Sequence, residues 1–296
     1  MILRSRLVDD IVMKIVVASV VYKGAMEYLD DFIKSISEQT NQNFAVLLLN
    51  DDMPEEYLEK ILRKYYPERK NDIIIVNACG GSSISQLRVR LLYETKVRGY
   101  DFLILSDCDD KLSGNRVGNY LEVFDPDYSF YYNALLDFDG QAVMPELPAE
   151  TLSWRQIAEE NYLGLSNTGI WLKKLSLQFI TSLNQGNTKI FDWYLYSRIL
   201  LAGMRGKKVE NCYTYYRIHA QNIAGKKVLA GAQVEKEILI KIEHYKLLEE
   251  EEPYLKKLRQ LYEKYYEKRE NLTLNDQDGF WWSLVKHEQQ EGGRAG

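Results

Sequence analysis

The residues best suited to chemistry begin with Asp107-Cys108-Asp109-Asp110, carboxylates placed directly behind the apolar run Phe102-Leu103-Ile104-Leu105. A short apolar run bounded by polar residues reads as a strand buried on both faces of a parallel sheet. In an extended chain residues i and i+2 share a side, so Asp107 and Asp109 would converge and Asp110 would point elsewhere. Converging carboxylates repel unless something positive lies between them. A hard divalent cation such as Mg2+ or Mn2+, its oxygen shell completed by phosphates and water, suits that gap. Ligands of open α/β sheets bind outside the carboxyl ends of strands, which makes this a candidate active site. Taken alone, the same aspartates would equally solvate a loop and cap a helix.

Further groups would complete such a site. Cys79-Gly80-Gly81-Ser82-Ser83, ahead of a helical pattern, offers backbone amides to an anion. It is neither a P-loop nor a Gly-x-Gly-x-x-Gly fingerprint, so an ordinary strand-to-helix turn stays open. Arg88, about one turn into that helix, would reach a diphosphate or form a surface ion pair. Asp51 and Asp52 would hydrogen-bond a nucleobase imide or ribose hydroxyls, or one of them would cap the helix opened by Pro54. Phe191-Asp192-Trp193-Tyr194 sets one carboxylate among aromatics, a candidate general base beside flat faces for sugar rings. The other reading is an N-cap aspartate with aromatics in the core. A helix amino terminus acidifies a carboxyl, so burial would have to offset the dipole for Asp192 to act as a base. His219 would be a further metal or phosphate ligand, or structural.

The elements that must position these groups follow from periodicity. Strands are expected at residues 14–21, 44–49, 73–76 and 102–105, alternating with helices at 26–38, after Pro54, and at 84–98. That alternation implies successive βα units and a parallel sheet, with Tyr22, Asp51, Asp52, the glycine turn, Asp107 and Asp109 gathered at one edge. Farther on, a helix is expected near 117–124, a strand at 129–135, helix at 154–162, a strand at 168–172, helix at 191–201 and a last strand at 213–217. Residues 234–269 read as a pair of amphipathic helices. The terminal Gly292 to Gly296 reads as a flexible end.

Composition narrows the class. The chain has 296 residues, 46% of them hydrophobic, enough to bury a full core. A formal net charge of -5 argues against a nucleic-acid binder. Cys79, Cys108 and Cys212 are too scattered for a disulfide framework or zinc site and read as reduced thiols of a cytoplasmic protein. The apolar run at 11–21 is interrupted by Lys14 and too short for a bilayer span, and no cleavage signature follows it. Phe280-Trp281-Trp282 would dock on the domain or meet a membrane or partner surface.

With these pieces in order, the chain resembles the family 2 glycosyltransferases of the GT-A fold. The resemblance rests on Val16-Val17-Ala18-Ser19-Val20-Val21-Tyr22, Leu48-Leu49-Asn50-Asp51-Asp52, Arg88, Ser106-Asp107-Cys108-Asp109-Asp110, Phe191-Asp192-Trp193-Tyr194-Leu195 and Tyr215-Tyr216-Arg217-Ile218-His219, spread over roughly residues 14–222. It implies an α/β, Rossmann-like, mostly parallel sheet flanked by helices over residues 1–225, with a nucleotide-binding half at 14–112 and an acceptor half at 113–225. Residues 226–296 would be a C-terminal helical extension and tail. The implied activity is inverting transfer of a sugar from a nucleotide-sugar donor, a UDP-sugar, to a glycan or lipid-linked acceptor.

The same resemblance gives Asp51 or Asp52 to the uracil and ribose, Arg88 to the nucleotide, Asp107 and Asp109 to the ribose and a Mn2+ or Mg2+ ion, and His219 to the metal or diphosphate, while Ser19, Tyr22 and Gly81 are further candidates for the nucleotide site. It makes Asp192 the catalytic base. Phe191 and Tyr194 depart from the family, which usually has acidic residues there, as do Met53-Pro54 and Leu87-Arg88-Val89. A sugar nucleotidyltransferase and a non-catalytic binding module of the same fold are the competing expectations. Self-association or peripheral membrane contact through the C-terminal helices is a further one.

Overall fold

The computed structural model describes residues 13–68, 72–144, 146–218 and 231–269. His219, the Phe280-Trp281-Trp282 stretch and the terminal glycines, on which expectations were placed, lie outside the described residues.

Apolar runs with polar ends form β1 (Ile15–Tyr22), β2 (Ala45–Asp51), β3 (Ile73–Asn77) and β4 (Phe102–Leu105). Between them, apolar residues at helical spacing form α1 (Met26–Ser37), α2 (Glu55–Tyr65) and α3 (Ile84–Val97). Pro54 stands just ahead of α2 as its N-cap, one position earlier than expected. β1 pairs in parallel with β2 and β4, and β2 with β3, as expected for βα units. Alternate side chains of these strands enter two cores. Val16, Ala18, Val20, Leu103 and Leu105 meet α3 on one face, and Ile15, Val17, Val21, Phe102 and Ile104 meet α1 and α2 on the other.

The rest of the sheet comes from β5 (Lys111–Leu112), β6 (Phe130–Leu136), β7 (Glu150–Thr151), β8 (Thr168–Trp171) and β9 (Gly206–Tyr215). Helices α4 (Arg116–Glu122), α5 (Leu177–Ser182) and α6 (Phe191–Leu201) lie between them. The strand order is β3-β2-β1-β4-β8-β6-β9-β5, with β7 on β9. β8 runs antiparallel to β4 and β6, β6 runs parallel to β9, and β5 is antiparallel to β9. Hence the carboxyl ends of β1, β2, β3, β4, β6 and β9 share an edge with the amino ends of β8 and β5.

Several expectations change. The helix expected at 154–162 shrinks to one 3-10 turn, Trp154–Ile157, capped by Ser153. Beyond it the Asn161 side chain brackets Leu163, accepting from its amide at 3.0 Å and donating to its carbonyl at 2.9 Å, which competes with helix formation. The last strand begins at Gly206 and stops at Tyr215, leaving Arg217 beyond it. Its polar Lys207-Lys208 start hid it, as did an irregularity where Asn211 adopts φ 58 and the β6 register shifts. α5 was not expected.

At the C-terminal end, α7 (Gly231–Leu248) and α8 (Pro253–Glu267) form the expected pair. α7 is not simply amphipathic, however, because it also buries Glu237, Lys241 and His244. Among the described residues, no helix is long and apolar enough to cross a membrane.

Candidate active site

In the order β3-β2-β1-β4 the chain winds outward from β1 in both directions, so the crevice above β1 and β4 is where a ligand finds room. Tyr22 ends β1 there, and the aspartate segment follows β4. That segment is a turn, closed by the Asp110 amide donating to the Asp107 carbonyl at 3.3 Å, and not the extended chain expected. Asp107 and Asp109 nevertheless share surroundings. Burial, then Asp109, Cys108 and Asp107, push the Tyr22 hydroxyl far above its ordinary pKa. Asp110 does point elsewhere: it is buried, and its Oδ1 accepts the Arg217 amide at 2.9 Å. Burial, then Asp109 and Asp107, push its carboxyl well above the usual range.

Ser83 ends the glycine turn as N-cap of α3, in a capping box with Gln86. Gly81 has φ 81, a left-handed backbone that suits glycine. From α3, Arg88 reaches the aspartate turn and forms an ion pair through Nη2 with Asp107 Oδ1. Its Nη1 is buried and has no hydrogen-bond partner among the described residues. A buried guanidinium nitrogen with its donors unused is a place for an anionic oxygen. At the end of β2, Asn50 exchanges hydrogen bonds with Met53, accepting its amide at 2.8 Å and donating to its carbonyl at 3.0 Å. This forces Asp52 into the left-handed region at φ 66, with its side chain exposed. Neither Asp51 nor Asp52 caps α2.

Asp192 lies in the first turn of α6, where its Oδ1 accepts the Trp193 amide at 2.9 Å. It is not the N-cap, which is Ile190. Burial raises its carboxyl to about 6, against the opposing Trp193 amide; Asp107 adds to the rise and Arg88 opposes it. Desolvation therefore outweighs the helix dipole here. The neighbouring aromatics are not sugar platforms. Phe191, Trp193 and Tyr194 are each 2% exposed or less, turned into the core by the helix, and only Asp192 keeps an open face. Tyr194 packs on Gly186, where a Cβ would come within 2.3 Å of its ring.

Thus Arg88 and Asp107 each act electrostatically on Tyr22 and on Asp192, and Asp109 acts on Tyr22 and Arg88. Ser19 does not join them: it is fully buried within β1, its hydroxyl donating to the Val20 carbonyl at 3.3 Å. Other positioning residues were not singled out from sequence. Ser166, before β8, accepts the Asp107 amide through Oγ at 2.8 Å. Buried Arg116 donates to the carbonyls of Leu105 at 3.1 Å and Thr168 at 3.2 Å, tying β4 to β8 beneath the turn. Arg217 donates through Nε to the Asp109 carbonyl at 2.9 Å and through Nη2 to Asp31 at 2.7 Å. The only sequence signal for Ser166 was a cluster of small polar residues ahead of a strand.

Among the described residues, no three metal-ligating side chains form a cluster. The donor set still fits a hard cation of the Mg2+ type, which takes one or two carboxylates and draws its other ligands from phosphates and water. The three cysteines are free; burial pushes the Cys212 thiol up to about 12 and Cys108 still higher, which makes both inert.

No family profile matches the chain, and no curated protein sequence matches it. Solved structures do. S. aureus TarS 1-349 in complex with UDP-GlcNAc is similar at 16% identity and a TM-score of 0.55, over 80% of this chain and 71% of that one. The same protein in complex with UDP aligns at 13% identity and a TM-score of 0.57, over 94% and 92%. The mannosyltransferase PcManGT from Pyrobaculum calidifontis, in complex with GDP-Man and Mn2+, aligns at 10% identity and a TM-score of 0.53, over 96% and 76%. This chain has the mixed α/β fold of GT-A-type glycosyltransferases, a curled central sheet flanked by helices.

Proposed function

We propose that the protein is an inverting glycosyltransferase of the family 2 type that moves a sugar from a UDP-sugar to a hydroxyl of a glycan or lipid-linked acceptor, with Mn2+ or Mg2+ on the diphosphate. One observation carries the reading: Asp192, a carboxyl raised to about 6, lies within electrostatic reach of the Arg88–Asp107 pair. A carboxylate tuned towards neutrality is matched to take a proton from a hydroxyl. Structures with the same fold hold UDP-GlcNAc, UDP, or GDP-Man with Mn2+, which supports a nucleotide-sugar donor.

In this reading Asp51 or Asp52 holds the uracil and ribose, and Asp107 takes part in ribose binding. The Arg88 Nη1 and the amides at Gly81 face the diphosphate. Asp109, with Asp107, holds the cation, and His219 is a further candidate ligand. When bound, the cation supplies Lewis-acid neutralisation of the departing diphosphate. Asp192 accepts the acceptor proton as the hydroxyl oxygen attacks the anomeric carbon on the face opposite the leaving diphosphate. The bond to the diphosphate breaks as the new glycosidic bond forms, and the electron pair leaves with the nucleotide.

A sugar nucleotidyltransferase would call for a basic glycine-rich loop behind β1. Lys23–Ala25 instead form one helical turn leading into α1. The burial of Phe191 and Tyr194 in the core favours the catalytic reading over a non-catalytic module. Calorimetry of UDP with and without Mn2+ tests the donor half. The parent binds more tightly with Mn2+, and Asp109→Ala loses that gain; equal affinity in all arms sinks the metal assignment.

A further inference from the structure

Beside the aspartate turn, cations and aromatic rings alternate. The Arg217 guanidinium lies 4.7 Å from the Tyr28 ring and 4.2 Å from the Phe138 ring. The Lys111 ammonium lies 5.1 Å from the Phe138 ring and 5.8 Å from that of Tyr215. Topology puts them at one place. Lys111 opens β5 directly behind Asp110, Tyr215 closes β9 opposite it, and Phe138 lies two residues past the end of β6, all on the edge that carries the crevice.

The two cations differ in what balances them. Arg217 has Asp31 at 2.7 Å. Lys111 forms no ion pair among the described residues, and its ammonium lies against the two rings. Asp137, next to Phe138, accepts the amides of Asp139 at 3.0 Å and Gln141 at 2.8 Å through its Oδ1. Phe138 is 41% exposed. An ammonium with no ion pair among the described residues, beside the partly exposed Phe138 ring in a chain of net charge -5, matches a ligand that is apolar on one side and negative on the other.

We propose that Lys111, Phe138 and Tyr215 form an acceptor subsite for a saccharide carrying an anionic group, with the ring on Phe138 and the anion at the Lys111 ammonium. This rests on the glycosyltransferase reading for the word acceptor, but not for binding itself.

The test titrates glucose 6-phosphate, glucuronate and glucose into the parent by NMR, with UDP measured in parallel. The charged sugars bind about tenfold or more tighter than glucose, the scale of one charge-assisted hydrogen bond. Lys111→Gln removes that difference, Lys111→Arg restores it, and Phe138→Ala weakens all three sugars. Tighter binding of only one charged sugar identifies the anion as phosphate or carboxylate. Glucose binding as tightly as the charged sugars overturns the proposal, as does unchanged affinity in Lys111→Gln. A loss of UDP affinity in Lys111→Gln equal to the loss for glucose 6-phosphate also overturns it, because the cation then serves the donor. A parent that binds no UDP yet discriminates the charged sugars supports the subsite and overturns only the reading of function.

Discussion

At the scale of the residue, the account turns on Asp192. Its carboxyl is held near 6 by dehydration, so kcat/KM should rise as pH passes through about 6 and the base loses its proton. Asp192→Asn should lower turnover by about 10²–10⁴-fold while UDP affinity stays, since only proton transfer is removed. The same shift has a stability consequence. A folded pKa above the unfolded one means the native state holds its proton more tightly, so this group's contribution falls as pH rises from about 4 to 6. Asp192→Asn should therefore stabilise the protein at pH 8 by about 1–2 kcal/mol in urea melts; a destabilised variant would show that the carboxylate is not strained. From sequence, Asp192 was legible as a candidate base, but its competition with the helix dipole could not be decided. Only the packing around it does that.

At the scale of the element, the C-terminal helices reach the helix that carries Asp192, the proposed base. His244 of α7 stacks on Trp193 with ring centroids 4.2 Å apart, and the Trp193 indole donates to the Ile157 carbonyl at 2.6 Å. Lys241 donates to the Glu159 carbonyl at 2.8 Å and to Tyr262 at 2.9 Å, joining that loop to α8. Burial, with Lys241 adding to it, lowers the His244 pKa to about 3. The unfolded chain binds that proton more readily, so the stability His244 gives is full above about 6.5 and is lost as pH falls towards 3. A His244→Phe variant should lose part of the parent's acid sensitivity below pH 6.5; an unchanged pH–stability slope contradicts this. The helices themselves were legible from their apolar spacing. Their polar buried face was not, because periodicity cannot say which lysine or histidine will find a partner inside.

Backbone detail at the ends of strands was equally hidden. The left-handed Asp52 follows from the Asn50–Met53 exchange, a pairing no spacing rule announces. Asp52→Gly should relieve about 1 kcal/mol of backbone strain, read as a higher melting temperature. If the side chain also holds the nucleotide, the same variant weakens UDP binding, and thermal and binding data separate the two effects.

At the scale of the whole molecule, the parallel half of the sheet was legible because β1, β2 and β4, buried on both faces, read as near-continuous apolar runs, and the edge strand β3 is apolar as well. The second half was less so. β8 and β9 are short or polar, and their place in the sheet is set by long-range partners such as Phe102 for Trp171 and Tyr132 for Lys208. That half nevertheless completes the crevice, since Ser166 before β8 and Arg217 after β9 both hold the aspartate turn. The coupling of Asp192 to Arg88 and Asp107, the proposed base to proposed donor-site groups, leads to a single direct measurement: UDP or GDP released from a panel of nucleotide sugars by the parent and by Asp192→Asn, with Mn2+ present. The account predicts acceptor-stimulated release from a UDP-sugar by the parent and its collapse in the variant. No release from any donor, or equal release by both proteins, would contradict it.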